Sequence, residues 1–308
     1  IFAQNNSELN YSYEEIEKKI ENSHNSEVEL WKWVKLYITK SKKEKNNETL
    51  LYAYRIASNY SSFPNNFKYS DSALIVGQKS KNKKLLSYAY LNRGTLYMDE
   101  EKYNKALDDI FLANKYSKDL GDDYTYNKTK YYIAQNKIYL GLYEDANKEL
   151  KSCIHYFKEN LNAVNSLGNN YPMYYLFSLM SYIDTNTKMG KQSENQQLIN
   201  EAIKYTKSNN LEQYEPYFIS LEGTSAFYKK DYKKAINKLT QSLTSYNDQW
   251  PHNTDIYYLG LSFWHVGRKK VAIKYLEEID NVYNKTKKLD PNFRTAYEIL
   301  IKYNDSIG

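Results

Sequence analysis

The chain has 308 residues, 41% hydrophobic and 26% charged, which excludes a disordered, collagen-like or mucin-like polypeptide. It carries 43 basic against 37 acidic residues for a net charge of +6, but Arg55, Arg93, Arg268 and Arg294 are its four arginines. So few Arg forks argue against a phosphate-reading nucleic-acid surface. A single cysteine, Cys153, excludes an intrachain disulfide framework, a multi-cysteine zinc site and an iron–sulfur cluster, and no run of apolar residues is long enough to span a bilayer. Ten Gly and five Pro against 35 Tyr point to helices rather than sheets.

The chain opens Ile-Phe-Ala-Gln. Ile1, Phe2 and Ala3 read as the tail of a secretory leader cleaved after Ala3, against the alternative of an ordinary chain boundary. This expectation puts the protein in the periplasm or otherwise outside the cytoplasm, with a cytoplasmic location as the alternative. Residues 1–60 keep helical periodicity, as in YEEIEKKI and LWKWVKLYI, without a small-residue signature. They are expected to be divergent helices capping a repeat array that occupies residues 61–308.

The first clear repeat starts at Ser87. A 34-residue helix-turn-helix frame there places Tyr90, Gly94, Tyr97, Tyr103, Ala106 and Ala113 at alternating large and small stations. Small residues at Gly94 and Ala106 let two antiparallel helices approach, while Tyr97 and Ile110 fill the space to the next pair. The frame recurs with Ala134, Gly141, Tyr143, Ala146, Leu150 and Cys153. After NAVNSLGNNYP, where Gly168, Asn169, Asn170 and Pro172 read as a loop, a degenerate copy spans Leu176 to Lys207. In that copy Gly190 and Ala202 fit, and Asn195 stands where alanine is usual. Two further strong copies follow, one with Gly223, Phe227, Tyr232, Ala235 and Leu239, the other with Leu259, Gly260, Phe263, Gly267, Ala272 and Leu276. Another copy precedes Ser87, with Ala73 read as the equivalent of Ala106. Phe293 to Ile307 is amphipathic and forms half of a pair.

These stations resemble the tetratricopeptide repeat. The resemblance implies an all-α fold of about fifteen helices in a right-handed α-solenoid of tetratricopeptide-like pairs. It also implies that the first helix of each pair lines a concave groove.

Catalysis is not indicated. No two of His24, His155, His252 and His265 lie three or four residues apart, so no two-histidine metal motif is present, and no calcium loop accompanies the acidic runs. Cys153 and His155 are two residues apart and point to different faces of a helix, so Cys153 reads as core packing. The expectation is a non-enzyme with no cofactor and no metal.

The groove frame nominates Tyr88, Leu91, Asn92 and Thr95, then Lys128, Tyr131, Tyr132, Gln135 and Tyr139, then Tyr217, Thr224, Phe227 and Tyr228, then Tyr257, Tyr258 and Trp264. The selected binding residues are Tyr131, Gln135, Tyr139, Tyr257 and Trp264. Aromatic faces with amide partners suit a peptide, a small amphipathic ligand or a protein segment. The cationic clamp of tetratricopeptide co-chaperones is not matched, since among its stations only Lys128 fits.

The stretch from YSDSALIVGQKS to YNKALDD, with the Ile-Phe-Ala-Gln start, is similar to the sensor half of AraC-type helix-turn-helix regulators of Bacteroidetes. That resemblance implies a ligand- or peptide-sensing module coupled to transcription through a membrane helix and a DNA-binding domain outside this chain. Its alternative is a protein-assembly scaffold with no transcriptional role.

Overall fold

The computed structural model describes residues 10–23, 25–163, 169–247, 252–286 and 291–307. The leader remnant at Ile1–Ala3, together with His24 and Gly168, lies outside them. Among the described residues there are fifteen α-helices and no strand, and no helix is long and apolar enough to cross a membrane. The protein is an all-α solenoid of consecutive helix pairs. The chain divides into two compact units, Ile1–Tyr156 and Phe157–Gly308.

The first unit holds α1 (Tyr13–Glu21), α2 (Glu27–Lys43), α3 (Asn47–Asn59), α4 (Asn65–Ser80), α5 (Lys83–Asp99), α6 (Tyr103–Asp119), α7 (Asp123–Tyr139) and most of α8 (Tyr143–Glu159). Side-chain caps set the helix starts. Ser12 and Glu15 form a reciprocal capping box on α1, and Asn46, Asn82 and Asp122 accept first-turn backbone N–H groups of α3, α5 and α7. Helix α3 packs on α4 and α5 on α6. Helix α8 closes on α7, where the Cys153 thiol lies 3.4 Å from the Asn127 carbonyl and Lys130 donates to Ser152 at 3.1 Å. The first helices of successive pairs also touch, α3 on α5 and α5 on α7, so they form one layer.

Gly94 shows why small residues mark these pairs. A Cβ there would sit 2.6 Å from Ile110 Cγ1 and 3.3 Å from the Ala106 carbonyl oxygen. Two helices this close admit no side chain between them. Ala106, Ile110, Ala113 and Ile133 are buried in the cluster that results.

Ala73 occupies a different station from the one assigned by sequence. It stands nine residues before the Asn82 cap, as Ala113 stands nine before Asp122, so Ala73 matches Ala113 and not Ala106. Both Ala106 and Ala113 are small, which is why the sequence frame slipped.

The second unit holds the end of α8, then α9 (Tyr171–Lys188), α10 (Asn195–Ser208), α11 (Glu215–Tyr228), α12 (Tyr232–Ser245), α13 (Asn253–His265), α14 (Lys269–Thr286) and α15 (Arg294–Ile307). The residues read as a loop near 170 partly belong to α9: Asn170 caps it and Pro172 sits in its first turn, where a missing N–H costs nothing. Gly223 and Gly260 repeat the Gly94 contact against Leu239 and Leu276, at 2.7 Å and 2.6 Å. Again α11 touches α9 and α13, and α13 touches α15.

The degenerate repeat has its own logic. Its first helix carries Ile183 at the station of Gly94. Asn195 on α10 donates to the Ile183 carbonyl at 3.1 Å and to Thr187 Oγ1 at 2.9 Å, while Thr187 pairs with Ser225 of α11 at 2.9 Å. Asn195 therefore fastens three helices with buried hydrogen bonds rather than by close approach.

Candidate functional site

The sequence-selected residues fall in both units. Tyr131, Gln135 and Tyr139 are four residues apart on α7 of the first unit and share one face. Tyr131 and Gln135 are half-buried, and Tyr131 meets the Tyr132 ring edge-on at 5.3 Å. Tyr139 is 59% exposed and stacks on Tyr103 at 4.9 Å. These three give aromatic area and one amide on a single helix face.

On α13 of the second unit, Tyr257 is only 6% exposed. It packs on Phe293 at 4.9 Å within a cluster containing Leu261, Ile273 and Leu276. Its ring is core packing, because Phe293 leads into α15 and covers the face that the repeat frame leaves open. Trp264 is half-buried, packs against the same cluster, and has Lys269 Nζ 5.3 Å from its ring.

Beside them the second unit gathers aromatic rings that the frame nominated but did not select. Phe227 lies 5.0 Å from Tyr258, and the Tyr228 and Tyr258 hydroxyls are 3.0 Å apart. His265 stacks on Tyr232 at 4.4 Å, so this exposed histidine is occupied in ring stacking. Burial and the neighbouring Tyr228 hydroxyl raise the Tyr258 phenol above its ordinary value, so Tyr258 is a neutral hydrogen-bonding group at physiological pH.

The first unit also holds charged side chains on its first-helix layer. Lys128 of α7 is half-buried, and burial, with Arg55 of α3 adding like-charge repulsion, pushes its ammonium down to about 8. Arg55 lies 4.8 Å from the Tyr52 ring. Tyr88 of α5 faces Asp122 and Thr125, and burial, then the Asp122 charge, raises its phenol. Sequence reading nominated Tyr88 and Lys128 but missed Arg55, because α3 carries no small-residue signature that would place it in the frame.

Cys153 is wholly buried, and burial pushes its thiol up to about 12, which leaves it unreactive at neutral pH. His155 is exposed on another face of α8. The described residues contain no cluster of His, Cys, Asp and Glu able to hold a metal ion.

No protein-family model matches the sequence, and no curated protein matches it significantly. Solved structures do resemble it in fold. The chain superposes on NprR in complex with its cognate peptide NprX with a TM-score of 0.67, at 14% identity, covering 94% of this chain and 84% of that one. The apo form of the quorum sensor NprR from B. thuringiensis gives 0.61 at 15% identity, covering 94% and 80%. The apo form of RapI gives 0.59 at 14% identity, covering 96% and 80%. At these identities the likeness is one of fold.

Proposed function

We propose that the chain is a non-catalytic sensor module that takes a short peptide on its first-helix layer. The observation that carries this reading is the likeness, over nearly the whole chain, to the fold in which NprR holds NprX. Support from the chain itself comes from its first helices. They present exposed or half-exposed rings beside amides and hydroxyls, as Tyr131, Gln135 and Tyr139 do on α7 and Tyr228 and Tyr258 on α11 and α13. Rings of this kind supply contact area at low entropic cost, and the polar tips fix an extended backbone.

Coupling to transcription, and a place outside the cytoplasm, follow from the resemblance to AraC-type regulators. Reading the gene past Gly308 tests that part: a membrane helix followed by a helix-turn-helix pattern supports it, and an immediate stop codon contradicts it. The scaffold reading draws on exposed apolar side chains of second helices, Ile75 on α4 and Phe111 and Leu112 on α6.

The test of peptide binding is retention of synthetic short peptides on the immobilised chain, followed by titration of those retained. Tyr131→Ala for a site on the first unit, or Trp264→Ala for a site on the second, should weaken binding by about 1 kcal/mol or more, with the helical signal intact. Full-strength binding by both variants, or loss only on substituting Phe111, would place the contact on the second helices.

A further inference from the structure

Each unit carries two successive three-residue turns from a first helix to its second. In the first unit they join α5 to α6 and α7 to α8, and in the second α11 to α12 and α13 to α14. The two sets share their backbone. Glu101 and Lys230 take left-handed conformations at the centre of the earlier turn, and Gly141 and Gly267 at the centre of the later one. They also share their packing. Tyr103, opening α6, stacks on Tyr139, closing α7, at 4.9 Å, just as Tyr232, opening α12, stacks on His265, closing α13, at 4.4 Å.

What differs is charge. Across these turns and the start of the following helix the first unit has Glu100, Glu101, Glu144 and Asp145 against Lys102. At the equivalent places the second unit has Lys229, Lys230, Arg268, Lys269 and Lys270 against Asp231. The fold accepts either sign there, so helix packing does not select the cations. A lysine-rich composition does not select them either, since it would fill both sets alike. All five are exposed, and none forms an ion pair among the described residues. Arg268 lies over the Phe263 ring at 4.9 Å and Lys269 over Trp264 at 5.3 Å, contacts that leave their charges uncompensated. Asp231 is engaged as the α12 cap, accepting the Lys234 backbone N–H at 3.1 Å, and Glu222 of α11 is held by Lys234 and Lys238. Lys269 and Lys270 open α14 with no acid in its first turn, where the helix dipole disfavours cations. Like charges kept against local electrostatics mark a surface that meets the opposite charge.

Rings of the first-helix layer stand beside these cations. Tyr228 adjoins Lys229 and is exposed, its hydroxyl is 3.0 Å from that of Tyr258, and Phe227 lies 5.0 Å from Tyr258. Resting on the peptide-sensor reading, we propose that this edge of the second unit takes an acidic run of the peptide ligand. Asp or Glu carboxylates meet Lys229, Lys230 and Arg268, and an adjoining apolar side chain lies on the Tyr228 and Tyr258 rings. Five cations on two turns fit several carboxylates rather than a single chain terminus. The Arg268 guanidinium supplies a planar fork and the lysines point charges. The acids at the equivalent places of the first unit repel the same run, so the charge reversal directs it to one unit.

Three synthetic peptide pools of one length, each with an aromatic or branched aliphatic residue flanked by Asp/Glu, by Asn/Gln or by Lys/Arg, test this on the intact immobilised chain. The acidic pool should be retained about tenfold more than the neutral one, the effect of two or three exposed ion pairs. That preference should shrink several-fold when the ionic strength is raised to about 0.5 M. Lys229→Glu combined with Arg268→Glu should abolish it. Lys79→Glu combined with Lys115→Glu, the same charge change at exposed second-helix positions of the first unit, should keep it. Equal retention of the acidic and neutral pools, or an equal loss in both double variants, overturns the acidic-run proposal and leaves the peptide reading standing. Retention of phosphatidylserine vesicles or an oligonucleotide through Lys229 and Arg268, with the acidic pool held no better than the neutral one, gives the edge to another partner and overturns the proposal as well. No retention of any pool overturns both the proposal and the peptide reading.

Discussion

Replacing Gly223 by alanine adds one carbon atom at the tightest kind of contact in this fold. That Cβ would lie 2.7 Å from Leu239 Cγ, 2.9 Å from its Cδ2 and 3.2 Å from its backbone nitrogen. Carbon atoms prefer about 3.5–4.0 Å, so the deficit is roughly an ångström. Leu239 is wholly buried, and its backbone is part of the obstacle, so α11 and α12 must separate. Alanine gains about 1 kcal/mol over glycine in a helix interior, while overpacking costs about 1–3 kcal/mol. The expected net result is a loss of up to about 2 kcal/mol, read by urea unfolding followed by far-ultraviolet circular dichroism. Gly77→Ala is the control. Its nearest neighbour, Leu86 Cδ2, is 3.3 Å away at the end of a flexible side chain, so it should be neutral or stabilising. In a double-mutant cycle Leu239→Ala should relieve the clash, with a coupling of about 0.5–3 kcal/mol. If Gly223→Ala is as stable as Gly77→Ala and uncoupled from Leu239, the α11–α12 approach described above is wrong.

Other substitutions probe turns, the polar core and the half-buried Lys128. Gly141 and Gly267 take left-handed backbone after α7 and α13, and Glu101 and Lys230 take the same conformation after α5 and α11. Glu101→Gly and Lys230→Gly should each stabilise by up to about 1 kcal/mol, measured as a rise in melting temperature. Asn195→Ala restores the common repeat residue yet should destabilise by about 1–2 kcal/mol, because the buried hydrogen bonds to Ile183, Thr187 and Ser225 are lost; a neutral result would remove the role given to that side chain. Lys128→Met should stabilise the protein at neutral pH. The folded state holds Lys128 near 8, against 10.5 ordinarily, so folding disfavours its proton. That penalty is full below about pH 8 and fades as pH rises toward 10.5, so the advantage of the variant over the wild type should shrink across that window. A constant difference would show that Lys128 titrates normally.

The pairs were legible in sequence because close approach leaves a narrow choice of residue: Gly94, Gly223 and Gly260 face Ile110, Leu239 and Leu276, and no larger side chain fits. Where that constraint repeats along one helix, the register is ambiguous, and Ala73 was assigned one station early until the Asn82 cap fixed it. Asn195 marked a departure whose meaning needed the third partner, Ser225, from the next repeat. The candidate site was less legible. A first-helix aromatic serves equally as lining or as filler toward the next pair, and Tyr257 became filler because Phe293 and α15 cover it. Arg55 stayed hidden because α3 pairs with α4 through Ser58, whose hydroxyl donates to the Asn66 carbonyl at 2.9 Å, rather than through a glycine contact.

Amide hydrogen exchange on the intact chain with and without a retained peptide tests the central claim most directly. Binding on the first-helix layer predicts slower exchange in α5 and α7 of the first unit, or in α11 and α13 of the second, with α6 and α12 unchanged. Protection confined to α6 and α12 would contradict it and move the binding surface to the second helices.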